Sequence, residues 1–188
     1  IFFVCCGALA QSTFHKAYGN VNGGRFNSVT IMDDGNIAFA GWYDVETLFT
    51  AEFYLLISDM NGDSLWTRTY GARVDSTANR INGSGNEGFH AEQTKDGGFI
   101  FSGERHEEVG GTSDVFLVRT DRNGQLLWSR TYGDVENEYG FAVKELEDGS
   151  FAIGGFTESY GAGARDFYLM KLFAGLLVKI FVNGCMSM

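Results

Sequence analysis

Short runs of alternating apolar and polar residues fill most of the chain, and small turn residues separate them. Four such runs follow one another at residues 26–32 (FNSVTIM), 36–42 (NIAFAGW), 52–58 (EFYLLIS) and 64–70 (SLWTRTY). A period of two with many aromatic and β-branched residues is typical of strands. No stretch has the sustained apolar period of a helix. The pattern therefore predicts an all-β fold.

The same series of runs recurs further along the chain. Residues 59–71 (DMNGDSLWTRTYG) and 121–133 (DRNGQLLWSRTYG) are nearly the same. In both units the tryptophan follows the glycine of an Asp-Gly pair by 31 residues, and the tyrosine follows it by 35. The unit is 52 residues long, or 62 where ten residues are inserted within 73–88, which is a supersecondary period. The recurring positions are Gly35, Gly97 and Gly149, Trp66 and Trp128, and Tyr70 and Tyr132. We expect the two tryptophans to be mostly buried in equivalent places.

Glycine after Asp or Asn marks the turns within each unit. Such pairs favour hairpins, because the turn backbone needs a positive φ that glycine adopts without strain. The predicted hairpins lie at 34–35, 61–62, 96–97, 123–124 and 148–149. Four antiparallel strands per unit, repeated head to tail, are typical of propeller blades.

We therefore expect a β-propeller-like array of about three four-stranded blades. The units are predicted at about residues 18–69, 70–131 and 132–172. About four to eight blades close a ring, so this array is not closed. In the repeat register, 14–19 (FHKAYG) matches 66–71 (WTRTYG), which predicts a lone fourth strand over 12–18 with Phe14 in the tryptophan position.

Three elements carry a resemblance to a known class of proteins. They are DGGFIFSG at 96–103, the series from Asp114 through FLVR to LLW at 126–128, and TYG at 131–133. They resemble the repeats of bacterial secreted β-propeller proteins, over about residues 14–172. The hairpin-plus-tryptophan element is also similar to that of quinoprotein propellers, but no cofactor residue of that class can be carried over. The resemblance implies an exported bacterial scaffold.

The ends of the chain depart from the repeat. Residues 1–10 (IFFVCCGALA) are apolar and close with a small-x-small pattern, which predicts a signal peptide remnant and Gln11 as the first mature residue; an edge strand is the alternative. The protein is then secreted, extracellular or on the cell surface. Removal of this segment leaves only Cys185, so we predict no disulfide framework.

Residues 173–188 form a divergent tail. The register requires an Asp at 173 and a Trp at 180, where the chain has Phe173 and Ile180. Truncation or a frame shift would explain so abrupt a loss. The apolar run at 172–182 has about half of the roughly 20 residues that a membrane span needs and contains Lys179. We expect no span, and uncovered blade edges that need further repeats or another chain. The chain alone is predicted to self-associate.

Net charge limits the partners. The formal charge of −10 and the lack of a basic aromatic patch argue against nucleic acid. Asp59, Asn61 and Asp63 resemble the start of a calcium loop, which makes calcium the alternative to having no cofactor. Tyr70 stands where such a loop has its acidic twelfth ligand, so turn formation is the preferred interpretation.

The acidic segment at 103–114 is the other candidate for chemistry. Glu104, His106, Glu107 and Glu108 could bind a metal or act as acid and base, but a solvated loop is the preferred interpretation. The sequence has no nucleophile elbow and shows no cluster of non-repeated polar residues. The repeated aromatic residues could stack on sugars, although recurrence in register favours packing. We expect no catalytic residues and a binding or scaffold role; the alternative is part of a secreted propeller hydrolase or lyase acting on carbohydrate.

Overall fold

Eleven β-strands make up the computed structural model, which describes residues 14–18, 23–45, 50–71, 85–106 and 111–173. The described residues contain no helix, which confirms the all-β prediction. The strands are β1 (Gly24–Ile31), β2 (Ile37–Val45), β3 (Thr50–Ser58), β4 (Ser64–Tyr70), β5 (Asn86–Gln93), β6 (Phe99–His106), β7 (Ser113–Thr120), β8 (Leu126–Tyr132), β9 (Glu138–Glu145), β10 (Phe151–Thr157) and β11 (Asp166–Leu172).

The strands form three antiparallel sheets. The first has the order β1-β2-β3-β4, the second β5-β6-β7-β8 and the third β9-β10-β11. Within the described residues none of them closes into a barrel. Strand order follows chain order in every sheet, so neighbouring strands are joined by local connections. The predicted unclosed array of about three antiparallel units is confirmed, and two of its sheets have the four expected strands. The third sheet has three strands among the described residues, one fewer than expected.

Each sheet is built on the same register. The first strand of each sheet has a bulge where one residue has no partner on the second strand, at Asn27, Phe89 and Phe141. These positions are separated by 62 and 52 residues, the two predicted repeat lengths. A bulge bends the strand and increases its twist. The repeat therefore extends to irregular backbone geometry.

All five predicted hairpin turns are present. In each, the glycine N–H donates to the carbonyl three residues earlier, over distances from 2.7 to 3.1 Å. The five glycines have φ between 73° and 85°, in the left-handed region that favours glycine. Each connection is therefore a four-residue turn whose last residue is a glycine in the left-handed region. This is the hairpin with a glycine bulge after the turn, and not the hairpin with a two-residue loop. The glycines are Gly35, Gly62, Gly97, Gly124 and Gly149.

Two apolar clusters fill the spaces between adjacent sheets. The cluster between the first and second sheets includes Phe53, Leu55, Phe101 and Phe116. The cluster between the second and third sheets consists of Ile100, Val115, Leu117, Tyr132, Val143, Phe151, Ile153, Tyr168, Met170 and Leu172. The second sheet contributes to both, so the two faces of its middle strands, β6 and β7, are buried and these strands contain the continuous apolar runs 99–101 and 115–118.

The repeated tryptophans occupy equivalent places, as predicted. Trp66 packs edge-on against Phe99 with ring centroids 6.4 Å apart, and Trp128 packs in the same way against Phe151 at 6.2 Å. Each therefore contacts the sheet of the next unit. Both rings are half-buried, which corrects the expectation that they are mostly buried. The reason is that the next sheet contacts each ring on one side only. An arginine from the tryptophan's own strand, Arg68 or Arg130, lies over the ring as well.

Phe14 occupies the tryptophan position of the repeat. Its ring lies over Gly62, as the ring of Trp66 lies over Gly124. The Tyr18 hydroxyl donates to the carbonyl of Gly62, as the Tyr70 hydroxyl does to that of Gly124 at 2.8 Å. Residues 14–18 are nevertheless not a strand, because the described part of the chain holds no sheet before β1 to pair with them.

Several predicted features lie outside the described residues. They are the signal peptide remnant at 1–10, most of the insertion within 73–88 and the tail from 174 onward. Within the described ranges, no helix has the length and apolar composition to cross a bilayer.

Candidate functional site

The weak calcium candidate forms a turn. Oδ1 of Asp59 accepts the backbone N–H groups of Asn61 and Asp63 at 2.9 and 2.8 Å, and these hydrogen bonds, led by that from Asp63, lower the Asp59 pKa. Asp121 does the same in the second sheet, where Gln125 replaces Asp63 with no change of geometry. A second carboxylate is therefore not needed for this arrangement. Within the described ranges no three Cys, His, Asp or Glu side chains are grouped to hold a metal ion.

The two ends of the sheets differ in their connections. We call the end with the five glycine turns the turn end, and the opposite end the variable end. At the variable end the connections run over 46–49, 71–85, 107–112, 133–137 and 158–165, with no common length. Loops are where binding residues concentrate on rigid frameworks, so the variable end is the expected place for a binding site.

One cross-strand position near the variable end is filled differently in each sheet. In the first sheet Arg25 lies opposite Trp42, and its guanidinium lies 5.4 Å from the indole centroid. In the third sheet Tyr139 lies opposite Phe156, and the two rings are stacked with centroids 4.5 Å apart. Cation–π and aromatic pairs of this kind each stabilise a sheet. Both outer sheets thus have an attractive pair here.

The second sheet has two carboxylates at this position. Glu87 lies directly opposite Glu104, and like charges across a strand pair are destabilising. Glu104 is 6% exposed, and its Oε2 makes no hydrogen bond to any described residue. Burial raises the pKa of Glu87 and the charge of Glu104 raises it further, while Arg25, with Nη2 at 3.5 Å, opposes both effects. The Glu87–Glu104 pair therefore lowers stability locally, at a position where the other two sheets have an attractive pair.

His106 lies beside this pair. Its Nε2 lies 3.7 Å from Oε2 of Glu104, which raises the His106 pKa against the opposing effect of burial. Oγ of Ser113 lies 3.0 Å from the same ring nitrogen, and Ser113 is fully buried. A serine triad has the acid and the serine on opposite nitrogens of the imidazole. Here Oγ of Ser113 lies 3.1 Å from Nδ1 as well, so it is not placed on one nitrogen opposite Glu104. Because Ser113 is also fully buried, its hydroxyl is not positioned to meet a substrate as the serine of a triad does.

Aromatic side chains adjoin the carboxylates. Tyr139 stacks with Phe89 and Phe141 at centroid distances of 6.4 and 5.9 Å, and Phe141 is exposed. Burial raises the Tyr139 pKa, and the nearby Glu104 carboxylate adds to the increase. Arg165 covers the Phe156 ring at 4.6 Å. We call the whole group the acidic–aromatic surface, which consists of Glu87, Phe89, Glu104, His106, Tyr139, Phe141 and Phe156.

The sequence had identified only part of this surface. Glu104 and His106 were assigned to a solvated loop, but they lie on β6, and Glu104 is buried. Glu107 and Glu108 lie outside the described residues. Glu87 and Tyr139 were missed, and the expectation that no non-repeated polar residues converge is wrong. Comparing position 87 with positions 25 and 139 would have found the signal, because it changes charge type in every repeat.

Comparison with protein-family models finds no match, and comparison with curated proteins finds no similar protein. The chemistry of the acidic–aromatic surface is therefore interpreted from its own residues. The repeated turn glycines and tryptophans are not part of the acidic–aromatic surface, because they form the hairpins and the contacts between sheets described above.

Proposed function

We propose that this chain is a non-catalytic β-propeller repeat module of an exported bacterial protein, with a binding role centred on the acidic–aromatic surface. The propeller arrangement is supported by how the sheets pack. β5 contacts β1, β2 and β3 of the first sheet, and β9 contacts β5, β6 and β7 of the second. The first strand of each unit thus packs on the preceding sheet, as in successive blades.

The observation that carries the binding role is the Glu87–Glu104 pair. The repeat accepts attractive pairs at this position, so two facing carboxylates are not required by the fold. Perturbed titratable groups in an unfavourable arrangement are typical of functional sites. The repulsion between Glu87 and Glu104 lowers the stability of the fold. A ligand that supplies a positive charge beside the two carboxylates is expected to offset this loss.

The ligand class that fits is a cationic group such as an amine or a guanidinium. Carboxylates supply the charge, and the faces of Tyr139 and Phe141 attract a cation by their ring quadrupoles. The net charge of −10 also steers cationic partners towards the chain. Arg25 already contacts Glu87 at 3.5 Å, a long distance for a strong ion pair, so a better-placed cation can compete with it.

A carbohydrate-cleaving role remains the second candidate, because paired carboxylates with one raised pKa are the tools of glycoside hydrolysis. The burial of Glu104 argues against it. Oε2 of Glu104 has almost no solvent-accessible surface and would have to move to reach a substrate. A general acid must come within hydrogen-bond reach of the bond that it protonates.

Titration calorimetry of the chain with a hexa-arginine peptide tests the binding role. Glu87→Gln should weaken binding at least fivefold, whereas Glu147→Gln, at an exposed position in a turn-end hairpin, removes the same charge with little effect. Equal losses in both variants would reduce the effect to net charge and overturn the proposal. A hexasaccharide panel is the second arm, and cleavage abolished by Glu87→Gln would favour the hydrolase instead.

A further inference from the structure

We propose that two copies of this chain associate head to tail and close into one ring of six sheets. In that ring, residues 14–18 of each copy form the fourth strand of the other copy's third sheet. Six sheets lie within the range of about four to eight that closes a propeller. The inference rests on the propeller arrangement proposed above, but it is independent of any ligand.

The two interfaces inside the molecule are one interface repeated. Where the second sheet meets the third, it contributes Ile100, Val115, Leu117 and Tyr132. Where the first sheet meets the second, it contributes the same repeat positions, Ala38, Phe53, Leu55 and Tyr70. The opposite side of the contact is also repeated, with Ala91, Phe99, Phe101, Phe116 and Val118 matching Val143, Phe151, Ile153, Tyr168 and Met170. The repeat positions therefore predict which residues an uncovered sheet face would contact in a further sheet–sheet interface.

The third sheet has the donating face of this interface, and no other described sheet packs on it. We call it the tail face. Phe167 holds the position of Phe53 and Val115, both of which are fully buried, yet Phe167 is fully exposed. Leu169 is 51% exposed, whereas Leu117 at the same position is 0% exposed. Large apolar side chains standing in solvent at packing positions indicate a surface that is covered in the assembly.

The first sheet has the accepting face, and we call it the head face. Among the described residues, 14–18 lie along this face but no sheet covers it. Val29 is 62% exposed, whereas Ala91 and Val143 at the same position are 3% and 2% exposed. Phe39 and Tyr54 line a cleft of about 760 Å³ on this face. The tail face carries the residues that fill the corresponding space inside the molecule.

The repeat assigns specific contacts across the new interface. Inside the molecule, Phe53 meets Phe116 edge-on with centroids 5.1 Å apart. Phe167 of one copy and Tyr54 of the other hold these two positions. The same aromatic contact is therefore expected between copies.

The strand count supports the same assembly. The third sheet has three strands among the described residues, with β11 at its edge. Residues 14–18 carry the fourth-strand sequence and sit on Gly62 as Trp66 sits on Gly124, but they have no third strand beside them. In β7 and β8, Val115 lies opposite Tyr132. By the same register Phe167 lies opposite Tyr18 of the other copy.

A second copy is the occupant that satisfies both faces at once. The head and tail faces belong to one chain and complement each other, so their contact is heterologous. A heterologous contact leaves no uncovered face only if the ring closes, and the three described sheets of each copy together give six, a number that can close. Closure also pairs the edge of β11, which removes the template that an open edge offers to other chains.

Size-exclusion chromatography with light scattering on the full chain tests the proposal, and the expected mass is that of two chains. Phe167→Asp and Val29→Asp should each give monomers, because each change spoils one side of both contacts. Val135→Asp, at an exposed position in the β8–β9 connection, is the matched control and should remain a dimer. Far-UV circular dichroism checks that the variants fold, as expected for substitutions at exposed positions.

Mixing the two monomeric variants separates head-to-tail association from other modes. The intact tail face of Val29→Asp meets the intact head face of Phe167→Asp, so the mixture should form a heterodimer through one contact. Dimers of Phe167→Asp alone, or no heterodimer in the mixture, would overturn the proposal. A wild-type monomer, or a ladder of larger species, would also overturn it. A dimer that does not bind hexa-arginine would refute the proposed ligand class and leave this inference standing.

Discussion

The turn end and the variable end of the same sheets are built on opposite principles. At the turn end, five hairpins share one backbone geometry, and each ends in a glycine with positive φ. At the variable end the connections differ in length, and a buried carboxylate oxygen, Oε2 of Glu104, has no hydrogen-bond partner among the described residues. Both ends belong to the same strands, so the difference is not one of fold.

The difference indicates how the repeat divides its tasks. The turn end has little sequence freedom, because positive φ and hydrogen bonding to the turn select Gly, Asp and Asn. The variable end is free of that requirement and can hold residues that lower stability. Substitutions at the turn end should therefore destabilise the protein, while some at the variable end should stabilise it.

The largest effect is expected at the Gly124 turn. Gly124 has φ 73°, and a Cβ there would lie 2.8 Å from the Trp66 ring. Gly149 has φ 75°, but a Cβ there meets no described atom within 4 Å. Gly149→Ala should thus lose about 1 kcal/mol from backbone strain alone, and Gly124→Ala about 3 kcal/mol because overpacking adds to it. Urea denaturation measures both, and equal losses would show that Trp66 does not pack tightly on the next unit.

A smaller loss is expected from a turn-end ion pair. Nη2 of the buried Arg119 donates to both carboxylate oxygens of Asp96, at 2.7 and 2.6 Å. Asp96→Asn should cost about 2 kcal/mol, because a buried guanidinium loses its charged partner. Asp148→Asn is the matched control and should cost less, since its partner Lys171 is more exposed.

The pH dependence of this pair has a definite sign. Burial alone would raise the Asp96 pKa, but hydrogen bonds from Arg119 and Thr94 lower it to about 2. A folded pKa below the unfolded value gives stability that is present above about pH 4 and lost as the pH falls towards 2. The gap in unfolding free energy between wild type and Asp96→Asn should close over that window. A constant gap would contradict the role of the charge.

At the variable end, Glu104→Gln should stabilise the chain. The substitution removes the repulsion with Glu87, and we expect a gain of about 0.5 kcal/mol. Glu92→Gln on the neighbouring strand is the control with the opposite sign, because it removes a carboxylate that contacts Nζ of Lys144 at 2.9 Å. Thermal melts of both variants at pH 7 decide the matter. A lower stability of Glu104→Gln would contradict the proposed difference, because substitutions at both ends would then destabilise the chain.

The smallest effect concerns His106. Glu104 raises the His106 pKa, so this contact stabilises the chain fully below about pH 6.5 and is lost as the pH rises through the folded value. The stability of wild type relative to His106→Gln should fall as the pH rises above about 6.5. In NMR titrations Glu104→Gln should return the His106 pKa towards its ordinary value, while His90, whose pKa is lowered by burial, serves as an unaffected reference. An unchanged His106 titration in that variant would remove Glu104 as the cause.

The sequence predicted the parts of the fold that local chemistry determines. Gly35 and Gly124 could be assigned to turns because Asp-Gly and Asn-Gly pairs are typical of turns that need a positive φ. Phe14 could be placed because it recurs in register with Trp66. The half-burial of Trp66 was not predictable, since it depends on how much of the ring Phe99 and its neighbours in the next sheet cover.

The candidate site was less predictable because it spans two sheets. Glu87, Glu104 and Tyr139 come together through the packing of β5, β6 and β9. No spacing along the chain encodes that contact. His106 was identified as a residue, but its environment depends on the neighbouring strand, so a solvated loop and a buried cluster looked alike in sequence.

Near-identity of the repeated strands also bears on how the chain reaches its structure. β4 (SLWTRTY) and β8 (LLWSRTY) differ little, and β3 and β7 offer them equivalent edges. During refolding, β8 can therefore pair with β3 and make nearly the native hydrogen bonds in the wrong unit. Misassembly between similar units is a characteristic failure of repeat proteins. We expect a slow refolding phase limited by the release of mispaired outer strands, and this phase should shorten when β8 alone is made unlike β4.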